Sequence, residues 1–283
     1  MCGFVKNSQR ACAGATMLWA PSLSVVVPVY NEQDNLRPLT TELMSVLRTL
    51  DRAWEIILVD DGSTDTSPQV LAWLAARHDH VRVARLKKNF GQTAAFAAGF
   101  DLARGDVIIT MDADLQNDPH DIPCLLARIG QYDLVCGRRR CRRDNIVRKV
   151  SSRIANAVRN ALSGETVSDV GCSLKAFRRE TVRQLPLFDG MHRFFPTLVK
   201  MAGGRVLEID VNHRPRMHGE AKYNIRNRAV RSFIDLLAVC WMQKRRLVFE
   251  IEALTTSDAG TGRPVPVSRS RERVIRTAGC ERR

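Results

Sequence analysis

Three apolar runs along the chain each deliver polar, acid-rich residues at their ends. Leu23 to Val29 leads into Tyr30-Asn31-Glu32, with Pro28 expected to halt the run. Ile56 to Val59 leads into Asp60-Asp61-Gly62-Ser63-Thr64-Asp65, and Ile108 to Met111 into Asp112-Ala113-Asp114-Leu115-Gln116. Their shortness and β-branched content predict buried strands. Between them, Leu36, Leu39, Leu43, Val46, Leu47 and Leu50 recur at three- and four-residue spacing, as do Val70, Leu71 and Leu74, which predicts helices. Strands alternating with helices predict parallel pairing and a doubly wound α/β sheet, with ligands beyond the carboxyl ends of the strands. The three acidic loops should then face one crevice. If the third strand continues through them, Asp112 and Asp114 point the same way.

Two carboxylates so placed could share one divalent cation. Hard oxygen donors suit Mg2+ or Mn2+, which keep waters and bridge to substrate phosphates. Five ordered motifs carry the reading further: Val27-Pro28-Val29-Tyr30-Asn31-Glu32, Asp60-Asp61-Gly62-Ser63, Asn89-Phe90-Gly91 with Asp112-Ala113-Asp114-Leu115-Gln116, Asp169 to Arg178, and Arg216-Met217-His218-Gly219-Glu220-Ala221-Lys222-Tyr223-Asn224. In this order the first motifs resemble the family 2 glycosyltransferases of the GT-A fold, which implies a Rossmann-like α/β domain with a mixed, mainly parallel sheet flanked by helices. The last two resemble the dolichol- and polyprenyl-phosphate sugar transferases within that family, typified by dolichol-phosphate mannose synthase. The resemblance covers roughly Leu23 to Arg246.

That resemblance implies a metal held by Asp112, Asp114 and Gln116, acting as a Lewis acid on a departing diphosphate, with Ala113 inside the donor-binding motif. Pro28 and Tyr30 can offer apolar surface to a base and ribose, Glu32 can accept from a ribose hydroxyl, and Asp60 or Asp61 can accept from a base nitrogen. Asn89 and Gly91 shape the neighbouring loop. Arg216 and Lys222 match cations brought onto the donor diphosphate, with Gly219 as a loop pivot and His218 as packing. Arg138 and Arg153 match arginines on an acceptor phosphate. Asp169 is a base if the acceptor is a hydroxyl, and a positioning residue if it is a phosphate, which is already anionic. The expected partners are a nucleotide sugar, GDP-mannose or a UDP-hexose, and a polyprenyl phosphate.

Charge locates a further partner. The formal net charge is +14. Residues 138–160 hold nine Lys and Arg against Asp144 alone, a local +8. No nucleic-acid module accompanies this block and the acidic crevice would repel a polyanion, so an anionic membrane surface is the expected partner and nucleic acid is not. Residues 227–246 form an apolar, aromatic segment closed by Lys244-Arg245-Arg246. It is too short to span a bilayer and reads as an amphipathic helix in the interface, with Phe233, Leu236, Leu237 and Trp241 toward lipid. The organisation expected is a leader at 1–22, one domain at 23–246 with membrane-facing segments at 138–162 and 227–246, and a disordered basic tail at 247–283. The leader resembles a secretory signal only superficially, because nucleotide sugars are cytosolic and the first strand follows at once. The eight cysteines show neither a Cys-x-x-Cys pair nor a zinc rhythm and read as reduced thiols, consistent with a peripheral protein on the cytoplasmic membrane face. A processive polysaccharide synthase would need Gln-x-x-Arg-Trp and spanning helices, and the sequence has neither. Transfer to a soluble or protein hydroxyl is the alternative, with a non-catalytic nucleotide-sugar binder behind it.

Overall fold

The computed structural model describes residues 22–139, 167–215 and 225–245, with side chains from 233 onward in the last stretch. In chain order its elements are β1 (Leu23–Val29), α1 (Gln33–Leu47), β2 (Trp54–Asp60), α2 (Ser67–Arg77), β3 (Val81–Arg85), α3 (Gln92–Leu102), β4 (Val107–Thr110), α4 (Ile122–Ile129), β5 (Leu134–Arg139), β6 (Lys175–Arg178), α5 (Arg179–Val182), α6 (Phe195–Met201), β7 (Val206–Val211) and α7 (Ile225–Lys244). The seven strands form one sheet in the order β3-β2-β1-β4-β6-β5-β7. Pairing is parallel except where β6 lies antiparallel between β4 and β5. The sheet is thus mixed and mainly parallel: the alternation of elements predicts the parallel pairs, and the antiparallel β6 agrees with the mixed sheet that the GT-A resemblance implies.

Strands buried on both faces read as unbroken apolar runs, yet their side chains still alternate. Val25, Val27, Ile56, Leu58 and Ile109 join one core cluster with Leu36, Leu39 and Leu43 of α1 and Leu125 of α4. Val26, Ile57, Val59 and Ile108 join the other, with Phe96 and Phe100 of α3 and Phe195 of α6. The chain leaves β3 at the sheet edge and re-enters as β4 on the far side of β1. That reversal opens a crevice between the carboxyl ends of β1 and β4, where doubly wound sheets bind ligands.

Three details depart from the pattern in the sequence. Pro28 does not halt β1, which continues to Val29. Pairing with β4 ends at Val26 opposite Thr110, so at Pro28 the strand has β2 alone as neighbour and a missing N–H is tolerated. β4 stops at Thr110, so Asp112 and Asp114 stand in a turn beyond the strand rather than on its alternating face. On α7, Leu236 is not outward: it is 5% exposed and packs with Val239 in the second core, while Phe233, Ile234, Leu237 and Trp241 are 50%, 58%, 48% and 62% exposed. The i+3 relation puts Leu236 with Val239, and the four-residue step puts Phe233 with Leu237 and Trp241 on another face. Among the described residues, no helix is long and apolar enough to cross a membrane.

Arg153, Arg216, His218, Gly219 and Lys222, most of the basic block, residues 1–21 of the leader and the 247–283 tail lie outside the described residues.

Candidate active site

The loops after β1 and β2 are laced together by side-chain oxygens, most of them neutral, with the Asp65 carboxylate accepting the amides of Gln33 at 3.4 Å and Ser67 at 2.9 Å. Asn31 adopts a left-handed φ of 52°, a conformation that asparagine tolerates better than most residues. Its Oδ1 accepts from the amides of Thr64 at 2.7 Å and Asp65 at 3.3 Å, while its own amide donates to Ser63 Oγ at 2.9 Å. Glu32 N donates to Ser67 Oγ at 2.9 Å, and the Glu32 carboxylate accepts from Asn35 Nδ2 at 2.7 Å. Pro28 and Tyr30, half-buried, complete this wall.

The adjacent acids of the second loop have different surroundings. Both oxygens of Asp61 are engaged, by the amides of Phe90 at 2.7 Å and Gly91 at 2.9 Å, so this side chain fastens the 89–91 loop to the end of β2. Burial pushes its pKa up, and those two amides oppose the rise. Asp60 is fully buried; one oxygen accepts Ser63 N at 2.9 Å, while Oδ2 lies 3.3 Å from Arg85 Nε outside hydrogen-bond geometry. Gly62, at φ 71°, lets the Lys88–Asn89 backbone approach so closely that a Cβ would lie 2.4 Å from the Lys88 carbonyl carbon. Gly91, at φ 95°, opens α3.

Beyond β4, Asp112 accepts from Gln92 Nε2 at 2.8 Å and its amide donates to Asn117 Oδ1 at 3.2 Å. Asp114, 7% exposed, accepts from the Gln116 amide at 3.2 Å across a turn in which Leu115 takes a left-handed φ of 62°. Desolvation first, then the neighbouring Asp114, pushes Asp112 up to about 6; the Ser173 hydroxyl, Lys175 and Arg139 pull the other way. Two carboxylates that burden each other in this way, with the Gln116 carboxamide in the same turn, fit a hard divalent cation.

A second acidic group, Glu42, Asp118 and His120, also clusters among the described residues. Arg214 occupies its charge: its guanidinium donates to Glu42 at 2.8 and 2.7 Å and to Asp118 at 2.7 Å. With Arg214 N on Gln116 O at 2.9 Å, this network pins the end of the β7 segment to α1 and the Asp112–Gln116 turn.

A cavity of about 120 Å³ lies beside Asp112, lined among others by Gln92, Ser173, Lys175, His192 and Arg193. Lys175 is 2% exposed and donates Nζ to the carbonyls of Val170 and Cys172. His192 Nδ1 meets Thr93 Oγ1 at 2.7 Å. Arg139 reaches Asp169 through Nε and a terminal nitrogen, each at 2.7 Å, and its amide donates to the same carboxylate at 3.1 Å. Asp169 therefore sits in a bidentate pair, with its own amide held by Glu208 at 2.7 Å.

Of the site residues read from sequence, the structure gathers Pro28, Tyr30, Glu32, Asp60, Asp61, Asn89 and Gly91 at the β1 and β2 ends, and Asp112, Ala113, Asp114 and Gln116 in the turn after β4. Arg138 is not with them: its Nε donates to Asp210 at 2.6 Å and its guanidinium is 4.0 Å from Glu208, on the β5–β7 edge. Its neighbour Arg139 takes the opposite direction, toward Asp169 and within electrostatic reach of Asp112. Sequence reading missed Arg139, Lys175, His192 and Arg193. Strand alternation at Arg138-Arg139 was the available signal for the first of these.

Residues 24–185 match the family described as Glycosyl transferase family 2. Over 228 residues the chain is 40% identical to a dodecaprenyl-phosphate galacturonate synthase of Rhizobium johnstonii, covering 78% of this chain and 67% of that protein. It is 38% identical over 228 residues to an undecaprenyl-phosphate 4-deoxy-4-formamido-L-arabinose transferase of Photorhabdus laumondii, covering 80% and 70%. The chain thus spans about two thirds of the length of these relatives. Its fold is similar to that of a Pyrobaculum calidifontis mannosyltransferase solved with GDP-Man and Mn2+ (TM-score 0.56, 19% identity, 82% of this chain and 66% of that one). It is also similar to glucosyl-3-phosphoglycerate synthase of Mycobacterium tuberculosis, solved with Mn2+, UDP and phosphoglyceric acid (TM-score 0.60, 18% identity, 83% and 82%). These likenesses establish the GT-A fold.

Proposed function

Because the chain belongs to glycosyl transferase family 2 and is a glycosyltransferase, we propose that it transfers a hexose, with inversion, from a nucleoside-diphosphate sugar to a polyprenyl phosphate. The observation that carries this reading is the acidic turn at Asp112–Gln116 beside the Asp60 loop, in a chain whose relatives are named for dodecaprenyl- and undecaprenyl-phosphate products. The nucleotide lies against Pro28 and Tyr30, with Glu32 toward the ribose. Asp60 reads the base in preference to Asp61, whose two oxygens already hold the 90–91 amides. Asp112, Asp114 and Gln116 would hold Mg2+ or Mn2+, which supplies Lewis-acid stabilisation to the departing diphosphate. Arg216 and Lys222 would add charge on the same group.

The acceptor oxygen is anionic at neutral pH, so no side chain must deprotonate it. It attacks the anomeric carbon on the face opposite the diphosphate; the new C–O bond forms as the bond to the diphosphate breaks. Asp169 then has a positioning role, because its carboxylate orients Arg139. Arg138 and Arg153 are further candidates for the acceptor phosphate, Arg138 on condition that it leaves Asp210.

With a lipid acceptor and a cytosolic nucleotide-sugar donor, the protein would act at the cytosolic face of a membrane. The exposed Phe233, Ile234, Leu237 and Trp241, with Lys244 and Arg245 at the end of the helix, suit an interface between acyl chains and anionic head groups. The test is a panel of labelled nucleotide sugars carrying mannose, glucose, N-acetylglucosamine or galacturonate, with undecaprenyl phosphate and either metal. Label entering the organic phase with one donor is expected. Label transferred only to water-soluble acceptors would overturn the lipid acceptor.

A further inference from the structure

A polyprenyl phosphate must bring its charged head from the lipid surface to the anomeric carbon, so a cation is needed where the apolar helix meets the transfer site. Two cations line the cavity beside Asp112, Lys175 and Arg193. Lys175 is buried and committed to the carbonyls of Val170 and Cys172. Arg193 lies in the turn Met191–Arg193, and its guanidinium is 3.5 Å from Asp235 Oδ2, an ion pair with both side chains about a quarter exposed.

Asp235 belongs to α7. It follows the exposed Phe233 and Ile234 in sequence and precedes the exposed Leu237, but its carboxylate turns inward against the 190–193 turn. The approach is close: a Cβ on Gly190 would lie 2.7 Å from Asp235 Oδ2, and Gly190 has a left-handed φ of 86°. The same turn is tied to the catalytic crevice. Gly190 N donates to Thr93 Oγ1 at 3.0 Å, Thr93 Oγ1 meets His192 at 2.7 Å, and Gln92, the preceding residue, holds Asp112. One guanidinium thus borders the cavity of Asp112 on one side and the lipid-facing helix on the other.

We propose that Arg193 receives the acceptor phosphate, and that Asp235 holds its guanidinium in place until the phosphate displaces the carboxylate. The assignment rests on the lipid-phosphate reading given above. A partly exposed ion pair contributes little and exchanges readily. A phosphate monoester carries more negative charge at neutral pH than a carboxylate and offers the geometry for two parallel N–H···O bonds from arginine.

The test uses the full chain, undecaprenyl phosphate in detergent micelles, and the donor that labels lipid with the unaltered protein. Arg193→Gln is expected to raise KM for undecaprenyl phosphate at least tenfold with donor KM unchanged, and Arg193→Lys to recover part of the loss. Asp235→Asn, which releases the guanidinium, is expected to lower acceptor KM two- to threefold at low salt. An unchanged acceptor KM in Arg193→Gln, or equal losses for donor and acceptor, would overturn the assignment. If Arg193→Gln fails to fold, Arg193→Lys and Asp235→Asn decide: acceptor KM unmoved in both overturns it. Failure of the unaltered protein to label any polyprenyl phosphate would instead overturn the acceptor class, and this assignment with it.

Discussion

On the β1–β2 side of the crevice, side-chain oxygens, neutral ones and the carboxylates of Asp60 and Asp61, accept from backbone amides, whereas on the β4–β6 side charged side chains pair with one another or with carbonyls. Asn31, Ser63 and Ser67 satisfy amides with carboxamide and hydroxyl oxygens. Lys175, Arg139 and Asp169 are charged, largely enclosed and engaged with one another or with carbonyls. Acceptors already satisfied by backbone amides have nothing to offer an arriving anion, which would suit the base and ribose of the proposed donor. Enclosed cations do respond to an anion, and in the proposed function they stand where a diphosphate would leave and a phosphate would arrive. The two sides differ in kind: one is set by bonds to backbone amides made on folding, the other by cations that an anion can rearrange.

The comparison can be broken hardest at Asp114. Asp114→Ala should lower transfer by about 10²–10³ or more while leaving the circular dichroism spectrum unchanged, as loss of a preorganised charge stabiliser does. Substantial metal-dependent transfer in that variant would remove the turn from the mechanism. Next come the two adjacent arginines. Arg139→Ala strands Asp169 in a largely buried place and should cost about 3 kcal/mol in denaturant unfolding, while Arg138→Ala, at an exposed pair, should cost no more than about 1. Equal costs would contradict the difference in their surroundings.

The smallest effect tests the electrostatic side through pH. The folded-state pKa of Asp112 stands at about 6, above its unfolded value, so the folded state binds the extra proton and stability falls as pH rises from about 4 to about 6. Asp112→Asn should therefore stabilise the metal-free protein at pH 7.5 by on the order of 1–2 kcal/mol, and by almost nothing at pH 4. Mg2+ or Mn2+ should raise the Tm of the unaltered protein more at pH 7.5 than at pH 5, and less in the variant. A pH-independent difference between the two proteins would show that Asp112 is not strained by its neighbours.

The sheet was legible because hydrophobic burial writes itself as apolar runs, and Val25 to Val29 or Ile56 to Val59 admit few other readings. The acidic loops were legible because they punctuate those runs. What escaped was direction. Arg138 and Arg139 are indistinguishable in composition, and only the pairing of β5 with β7 and β6 decides which guanidinium turns to Asp169. Asp60 and Asp61 posed the same ambiguity; the 90–91 amides, returning from about thirty residues away, occupy both oxygens of Asp61 and so favour Asp60 in the proposed function. His192 and Arg193 escaped for a different reason: they belong to a short turn without periodicity, brought to Asp112 by tertiary packing alone.

Leu115 carries a consequence of its own. A leucine at φ 62° is costly, of the order of 1–3 kcal/mol, and it persists here with its side chain 5% exposed in the core shared with Ile122 and Leu125. The core therefore acts as a spring held under load, with the turn between Asp114 and Gln116 as its far end. Folding stability and the aim of Asp114 and Gln116, the candidate metal-facing groups, are coupled through one apolar side chain, so changes made deep in the α4 packing should be felt in the geometry of that turn.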